Sequence, residues 1–254
     1  MKLHELALQK DMDNSSRKFH RHKKTIILMK IKVILYLSFL WSSFIIGGCA
    51  KDNFEPPKST LTGRLVYNGE PIGVRSGGVA FELWQHGYQL FSKIPLNIAQ
   101  DGSFSAVLFD GKYKLVRSVG SGPWLNQTDS IDVELNGNAT LDVPVEPYYV
   151  IKDLSFVKEG VDVKATFTVQ TVNNAKALEL VRLYIGPNLI LDQNNNAANK
   201  QALSSVIDST KPITLSVSIP TSLAFEDYLF ARAGVKVAGI AELLYSSSEK
   251  IQIK

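Results

Sequence analysis

From Leu61 to the C-terminus the chain is a succession of short runs in which apolar and polar residues alternate, each closed by Gly, Asn, Asp or Pro. Period-two alternation places one face of an extended segment in a core and the other in water, so the fold class that follows is all-β. Leu61, Gly63, Leu65 and Tyr67 share one parity, and the run ends at Asn68-Gly69, a pair suited to a two-residue hairpin turn. Val79, Phe81 and Leu83 make the apolar face of the next strand. Asp101-Gly102 opens Ser103 to Phe109, and Asp110-Gly111 leads into Tyr113, Leu115, Arg117 and Val119. Ile131, Val133 and Leu135, then Leu141, Val143 and Val145, complete six or seven short strands, the size of a small Greek-key sandwich. Glu146-Pro147-Tyr148-Tyr149 breaks the pattern and marks a boundary.

Beyond it Val161, Val163, Ala165, Phe167 and Val169 alternate with polar residues, as in a strand with one buried face. Leu178 to Ile185 is apolar on both parities and reads as a central strand. Asp192 to Lys200 reads as an Asn-rich loop and Ala202 to Ser209 as a short helical turn. Ile213 to Ile219, Leu229 to Val237 and Lys250 to Lys254 supply the later strands of a second, immunoglobulin-like sandwich. The expected organisation is a leader and signal segment over 1–48, a tether over 49–58, and sandwiches over 59–147 and 148–254. Each half, at about 90 to 105 residues, is long enough for its own core without a metal or disulfide.

The net positive charge is confined to the start of the chain. Residues 1–48 hold nine of the 28 Lys and Arg and three of the 24 Asp and Glu, leaving 19 basic against 21 acidic residues in the body. No basic patch remains to hold phosphate, so nucleic acid is excluded as a partner. Met29 to Cys49 carries two lysines, then an apolar run, then small residues before the single cysteine. This is the three-part secretory pattern, and Val33 to Ile46 is short for a membrane span, which needs about 20 residues. Ile46-Gly47-Gly48-Cys49 resembles a bacterial lipobox, which implies diacylation of the Cys49 thiol, cleavage before it, and attachment to a membrane by lipid. Met29 is then the better start, with the stretch before it a dispensable leader. The tether after Cys49, extended at roughly 3.3 Å per residue, would hold the body about 30 Å from the bilayer. Lys51 followed by acids resembles the surface-export signal of Bacteroidetes lipoproteins, with retention facing the periplasm as the alternative.

The order LTGRLVYNGEPI then QDGSFSAVLFDGKYKL resembles carboxypeptidase-regulatory, transthyretin-like modules. With the lipobox and the segments GSGPWLNQTDSI, VEPYYVIKDLSF and YLFARAGVKVAGIAELLYSSSEKIQI, the whole mature chain resembles the DUF3823 family of Bacteroidetes lipoproteins. The resemblance implies a transthyretin-like first domain and an immunoglobulin-like second one, and a setting in outer-membrane glycan acquisition beside SusC/SusD-type import proteins. It implies no reaction.

The chemistry legible in the residues points the same way. Of the four histidines only His86 lies in the body, and no nucleophile-elbow, phosphate-loop or zinc-ligand spacing occurs, so neither an enzyme nor a cofactor is expected. Asp129 with Asp132, or Asp101 with Asp110, could serve as paired glycosidase carboxylates but read more simply as turn and strand-edge acids. Asp101, Asp110 and Asn194 to Asn196 offer oxygens for calcium without a recognised spacing. The aromatic residues are the stronger lead. If alternation persists past Leu83, Trp84, His86 and Tyr88 face away from the first core, either as a sugar platform or packed on the second domain. Trp124, in a glycine-rich connection beside Asn126 and Gln127, is either a recognition residue with amides to orient hydroxyls or a plug in the core. Arg232 and Lys236 share a parity with Tyr228 and Phe230, and a solvated face is the default there, an interdomain contact the alternative. Two functions follow: a non-catalytic surface lipoprotein that binds glycan or assists a glycan importer, or a structural spacer or adhesin module.

Overall fold

The computed structural model describes residues 55–87, 91–208 and 210–254. The expectations for Cys49, the signal segment and Tyr88 fall outside the described residues. The first sandwich contains β1 (Ser59–Tyr67), β2 (Glu70–Pro71), β3 (Ala80–Gln85), β4 (Lys93–Asn97), β5 (Ser103–Leu108), β6 (Gly111–Arg117), β7 (Ser130–Leu135) and β8 (Ala139–Pro144). The second contains β9 (Tyr149–Glu159), β10 (Asp162–Thr171), β11 (Leu178–Gly186), β12 (Ala198–Leu203), β13 (Ile213–Ser218), β14 (Tyr228–Val237), β15 (Leu244–Tyr245) and β16 (Glu249–Gln252).

In the first sandwich β1 pairs antiparallel with β5 and β2 and parallel with β8, while the facing sheet runs β4-β3-β6-β7. A parallel neighbour cannot be reached by a hairpin, so the chain crosses to the second sheet and back before β8 closes the first. The turn after β1 has Asn68 and Gly69 at φ 50° and 79°, both positive as a type I′ turn requires. Gly63 is dictated by close approach: a Cβ there would lie 1.8 Å from the Leu141 carbonyl oxygen and 2.5 Å from the Phe104 ring. The alternating residues Leu61, Leu65, Phe81, Leu83 and Leu115 are fully buried between the sheets, each worth about 1.5–3 kcal/mol of removed apolar surface.

The second sandwich packs β9-β10-β13 against β12-β11-β14, with β15 and β16 both beside β14. Val163, Ala165 and Phe167 from one sheet meet Val181, Leu183, Ile185 and Leu229 to Val235 from the other. β11 is central, between β12 and β14. Its second apolar parity is explained by Tyr184, which packs outside the sandwich with Leu243 and Tyr245. The Asn-rich loop is shorter than its composition suggests: β12 begins at Ala198, and its Asn199, Lys200 and Gln201 stay exposed because β12 is an edge strand. The expected helical turn reduces to one 3-10 turn, Ser204–Val206.

β4 and β9 are not legible as strands from alternation. β4 carries Pro95, tolerated because β4 is an edge strand paired only with β3. β9 is bulged: Thr166 opposes Ser155 but Thr168 opposes Lys152, and Asp153 has φ 52°. The extra residue shifts the parity midway, so Tyr149 and Ile151 share a core side with Leu154 and Phe156.

The two sandwiches share one compact unit, Pro56–Lys254. The junction is pinned by backbone bonds from Leu125 N–H to Glu146 O (2.9 Å), from Tyr148 N–H to Pro123 O (3.2 Å) and from Tyr245 N–H to Gly73 O (2.9 Å). Arg75 makes a two-pronged ion pair with Glu242, one arm at 2.9 Å, and this hydrogen-bonded carboxylate raises the Arg75 pKa. Arg232, for which a solvated face is the default, is 1% exposed. Its parity does point out of the second core, but the first sandwich covers that face. The guanidinium donates to Ser246 O (2.8 Å), Leu191 O (2.7 Å), Val74 O (3.1 Å) and Gln100 O (2.7 Å), and lies 4.4 Å from the Tyr245 ring centre. Burial lowers its pKa to about 10, still far enough above neutral to keep it a cation.

Candidate functional site

The four-stranded sheet β4-β3-β6-β7 turns its inner residues to the first core and its outer residues to solvent. β3 shows the division: Phe81 and Leu83 are fully buried, while Glu82 and Trp84 are half-buried on the other face and His86, beyond the strand end, is exposed. Cross-strand register sets Trp84 between Lys93 of β4 and Lys114 of β6, with Asp132 of β7 next in the row. Phe91, from the segment entering β4, folds back over this row. Its ring centre lies 4.9 Å from that of Trp84 and 4.7 Å from that of His86, and the ring is 49% exposed. The sequence reading missed Phe91, because its place beside Trp84 depends on the β3-β4 hairpin closing.

Polar groups frame the rings. Glu82 accepts from the Trp84 indole N–H (3.2 Å) and from Lys93 (2.8 Å). Lys93, and after it the indole N–H, holds the Glu82 carboxyl below its ordinary pKa despite some desolvation. Lys114 donates to Asp132 at 2.6 Å, and Lys112 stands 3.9 Å from Glu134. His86 and Gly87 also line an open basin with Lys112, Lys114, Asp132 and Glu134. Three lysines, Lys93, Lys112 and Lys114, stand against four carboxylates, Glu82, Asp110, Asp132 and Glu134, so the charge is nearly balanced and the face suits a neutral ligand better than a strongly charged one. With its N–H already engaged, Trp84 has its ring face to offer.

Trp124 is not part of this surface. The expectation of a loop aromatic exposed for recognition is corrected by its 3% exposure. The indole meets Phe81 edge-on, with centres 6.4 Å apart, and the Trp124 backbone forms an isolated β-bridge with Pro147 at the domain boundary. The physical reason is Gly122, which leaves room for the indole to fold back: a Cβ there would lie 2.1 Å from the ring. Trp124 and Trp84 thus lie on opposite sides of one sheet. Asn126 is spent on closing the same loop, its Oδ1 accepting the Gly120 N–H at 2.8 Å. Gln127 lines a separate groove with Tyr67, Glu146 and Val172, and its Oε1 is buried without a partner. Neither amide is brought to Trp84.

The carboxylates weighed as catalytic pairs hold turns and strand edges. Asp129 pairs with the buried Arg117 (2.6 Å), and Asp101 accepts the Ser103 hydroxyl (2.7 Å) and N–H (3.0 Å). Asp110 accepts the Ser59 hydroxyl and the Gly137 N–H, the hydroxyl first among the contacts that lower its pKa. Asn194 and Asn195 donate their N–H groups to Asp192, closing their own loop. Among the described residues no three His, Cys, Asp or Glu side chains gather as a metal-binding group.

Two profiles of one family match almost all of the described body. The N-terminal domain of the DUF3823 proteins of unknown function matches residues 59–146, and the DUF3823_C domain of unknown function matches residues 149–250. This chain belongs to the DUF3823 family. A crystal structure of a DUF3823 protein from Bacteroides ovatus is 40% identical at TM-score 0.73, and one from Parabacteroides merdae is 30% identical at 0.72; each covers 78% of this chain and 100% of its own. A proposed carbohydrate binding protein from Bacteroides uniformis, 18% identical, shares the fold at TM-score 0.64 with the same coverage. No curated protein matches the sequence.

Proposed function

We propose that this DUF3823 chain is a non-catalytic lipoprotein of the outer membrane, anchored through Cys49, that binds neutral glycan on the outer face of β4-β3-β6-β7 as an accessory of a SusC/SusD-type import system. The observation that carries the reading is the outward cluster of Trp84, Phe91 and His86, framed by Glu82, Lys93, Lys114 and Asp132. Flat rings offer apolar area to the C–H faces of a sugar, and the surrounding charges can exchange hydrogen bonds with its hydroxyls. The Bacteroides uniformis protein, with its proposed carbohydrate binding, lends the reading support through a shared fold. The lipobox-like Ile46-Gly47-Gly48-Cys49 and the family resemblance support the membrane setting and the import partner.

A platform without catalytic groups binds weakly, with a Kd on the order of 10⁻⁴ M. Trp84→Ala should weaken retardation in a polysaccharide affinity gel about tenfold, the equivalent of roughly 1.4 kcal/mol of stacking, with the melting temperature nearly unchanged because the ring is outside the core. Retardation equal to wild type would remove this face from the proposal. The anchor has its own test. Cys49→Ala removes the thiol that accepts the diacylglyceryl group, so the variant should accumulate as an unprocessed precursor and take up no fatty-acid label. Wild-type labelling of the variant would overturn lipidation at Cys49.

A second reading, a structural spacer or adhesin module, is favoured by one observation, the buried guanidinium of Arg232 that ties the sandwiches together. A rigid pair of sandwiches suits reach as well as recognition, and the Trp84 experiment separates the two.

A further inference from the structure

Where the sandwiches meet, a cleft of about 300 Å³ opens between the β1-β2 turn of the first and β9, the end of β10 and the Leu244 to Ser247 segment of the second. It shares no residue with the outer sheet face. We propose that this cleft is a separate binding site for a neutral saccharide of one or two rings.

The cleft is preformed rather than a gap between loosely apposed domains. Its Gly73 wall is bonded to its Tyr245 wall through Tyr245 N–H, and Arg232 holds Ser246 O on one side and Val74 O and Gln100 O on the other. Gly73 cannot carry a side chain without disturbing the seam, since a Cβ would lie 2.5 Å from Tyr245 O. Rigid walls lower the ordering cost of binding. The β9 bulge shapes the opposite wall. Thr168 donates to Asp153 Oδ2 at 3.1 Å and supports its φ of 52°, and Ile151, Lys152 and Leu154 all line the cleft. Bulges re-aim side chains in this way beside sites.

The lining sets the ligand class. Asn68, Glu70, Lys152 and Gln170 converge on the cleft, and none of their side chains holds a hydrogen bond or ion pair within the described residues. Together they offer acceptors and donors for hydroxyl groups. Ile151 and Leu244 supply an apolar floor, and Tyr67 a ring. Glu70 and Asp101 outnumber Lys152, so an anionic ligand is repelled, and no cluster of cations is present to hold phosphate. The volume is at the low end for small-ligand sites, about 300 to 1,000 Å³, enough for one or two sugar rings and no more.

The test titrates the full-length protein, amide- and indole-¹⁵N labelled, with glucose, galactose, mannose, xylose, maltose, cellobiose, lactose and xylobiose to 20 mM, and with glucuronic acid as the charged control. At least one neutral sugar should shift the amide signals of Gly69, Lys152 and Gln170 while leaving the Trp84 indole N–H unmoved, and glucuronic acid should shift neither. The double variant Glu70→Gln with Lys152→Met, both exposed and free of structural bonds, should raise the apparent Kd at least tenfold at an unchanged melting temperature. Trp84→Ala should leave it as in wild type. Shifts confined to the Trp84 indole, cleft shifts insensitive to the double variant, or no cleft shift with any neutral sugar would each overturn the proposal. Because the two sites report on different signals, failure of the cleft leaves the outer-face reading standing, and the reverse holds.

Discussion

Arg232→Ala should lower the unfolding free energy by about 3–5 kcal/mol, the scale for breaking a buried charged network. The guanidinium sits among four backbone carbonyls from segments far apart in sequence: Val74 and Gln100 of the first sandwich, and Leu191 and Ser246 of the second. Truncation takes the guanidinium donors from the Val74, Leu191 and Ser246 carbonyls, leaves Gln100 O with only the Val74 N–H, and opens a void beside Tyr245, whose ring faces the guanidinium. Arg232→Lys should recover only part of the loss, since one ammonium cannot reach every carbonyl that the planar fork serves. In urea denaturation the variant should show an earlier midpoint, with the first and second sandwiches unfolding separately. A midpoint within error of wild type would mean that the cost of burying the cation cancels all it gains from its acceptors.

Trp124→Ala should cost about 3–5 kcal/mol as well, by a different mechanism. A large buried ring is lost from the first core, and Phe81 loses the ring it meets edge-on. Gly122, made small to admit the indole, cannot fill the space. Trp124→Phe should restore roughly half the loss. The contrast with Trp84 is the sharper check: two tryptophans on opposite sides of one sheet, one expected to change stability and the other affinity. A Trp124→Ala protein that melted as wild type but lost affinity for polysaccharide would reverse the assignment of the two rings.

Much of the fold was legible because its causes are local. Alternation through Leu61 to Tyr67, Val163 to Val169 and Ile213 to Val217 needs only a strand with one wet face, and Asn68-Gly69 needs only the backbone freedom of those two residues. The same logic places Trp84 opposite Phe81 and Leu83. The elements that alternation left unread are those in which it is broken or irrelevant. β9 loses its parity at the Asp153 bulge, β4 is only five residues long and interrupted by Pro95, and β12 is an edge strand whose polar side chains meet water on both faces.

The sequence by itself determined an all-β chain, most of its strands, and which residues turn away from each core. Tertiary structure decided what lies on those outward faces. Arg232 and Trp84 both point out of their own sandwich, yet the first sandwich covers Arg232 while Trp84 is met by Phe91 and by Glu82 of its own strand. Trp124 sits in a glycine-rich connection that composition marks as a loop, but folding the loop back at Gly122 brings its ring under the sheet. Local periodicity reports the direction of a side chain relative to its own strand. Whether water or another part of the chain meets it there depends on contacts between residues as far apart as Val74 and Arg232, which no local pattern encodes.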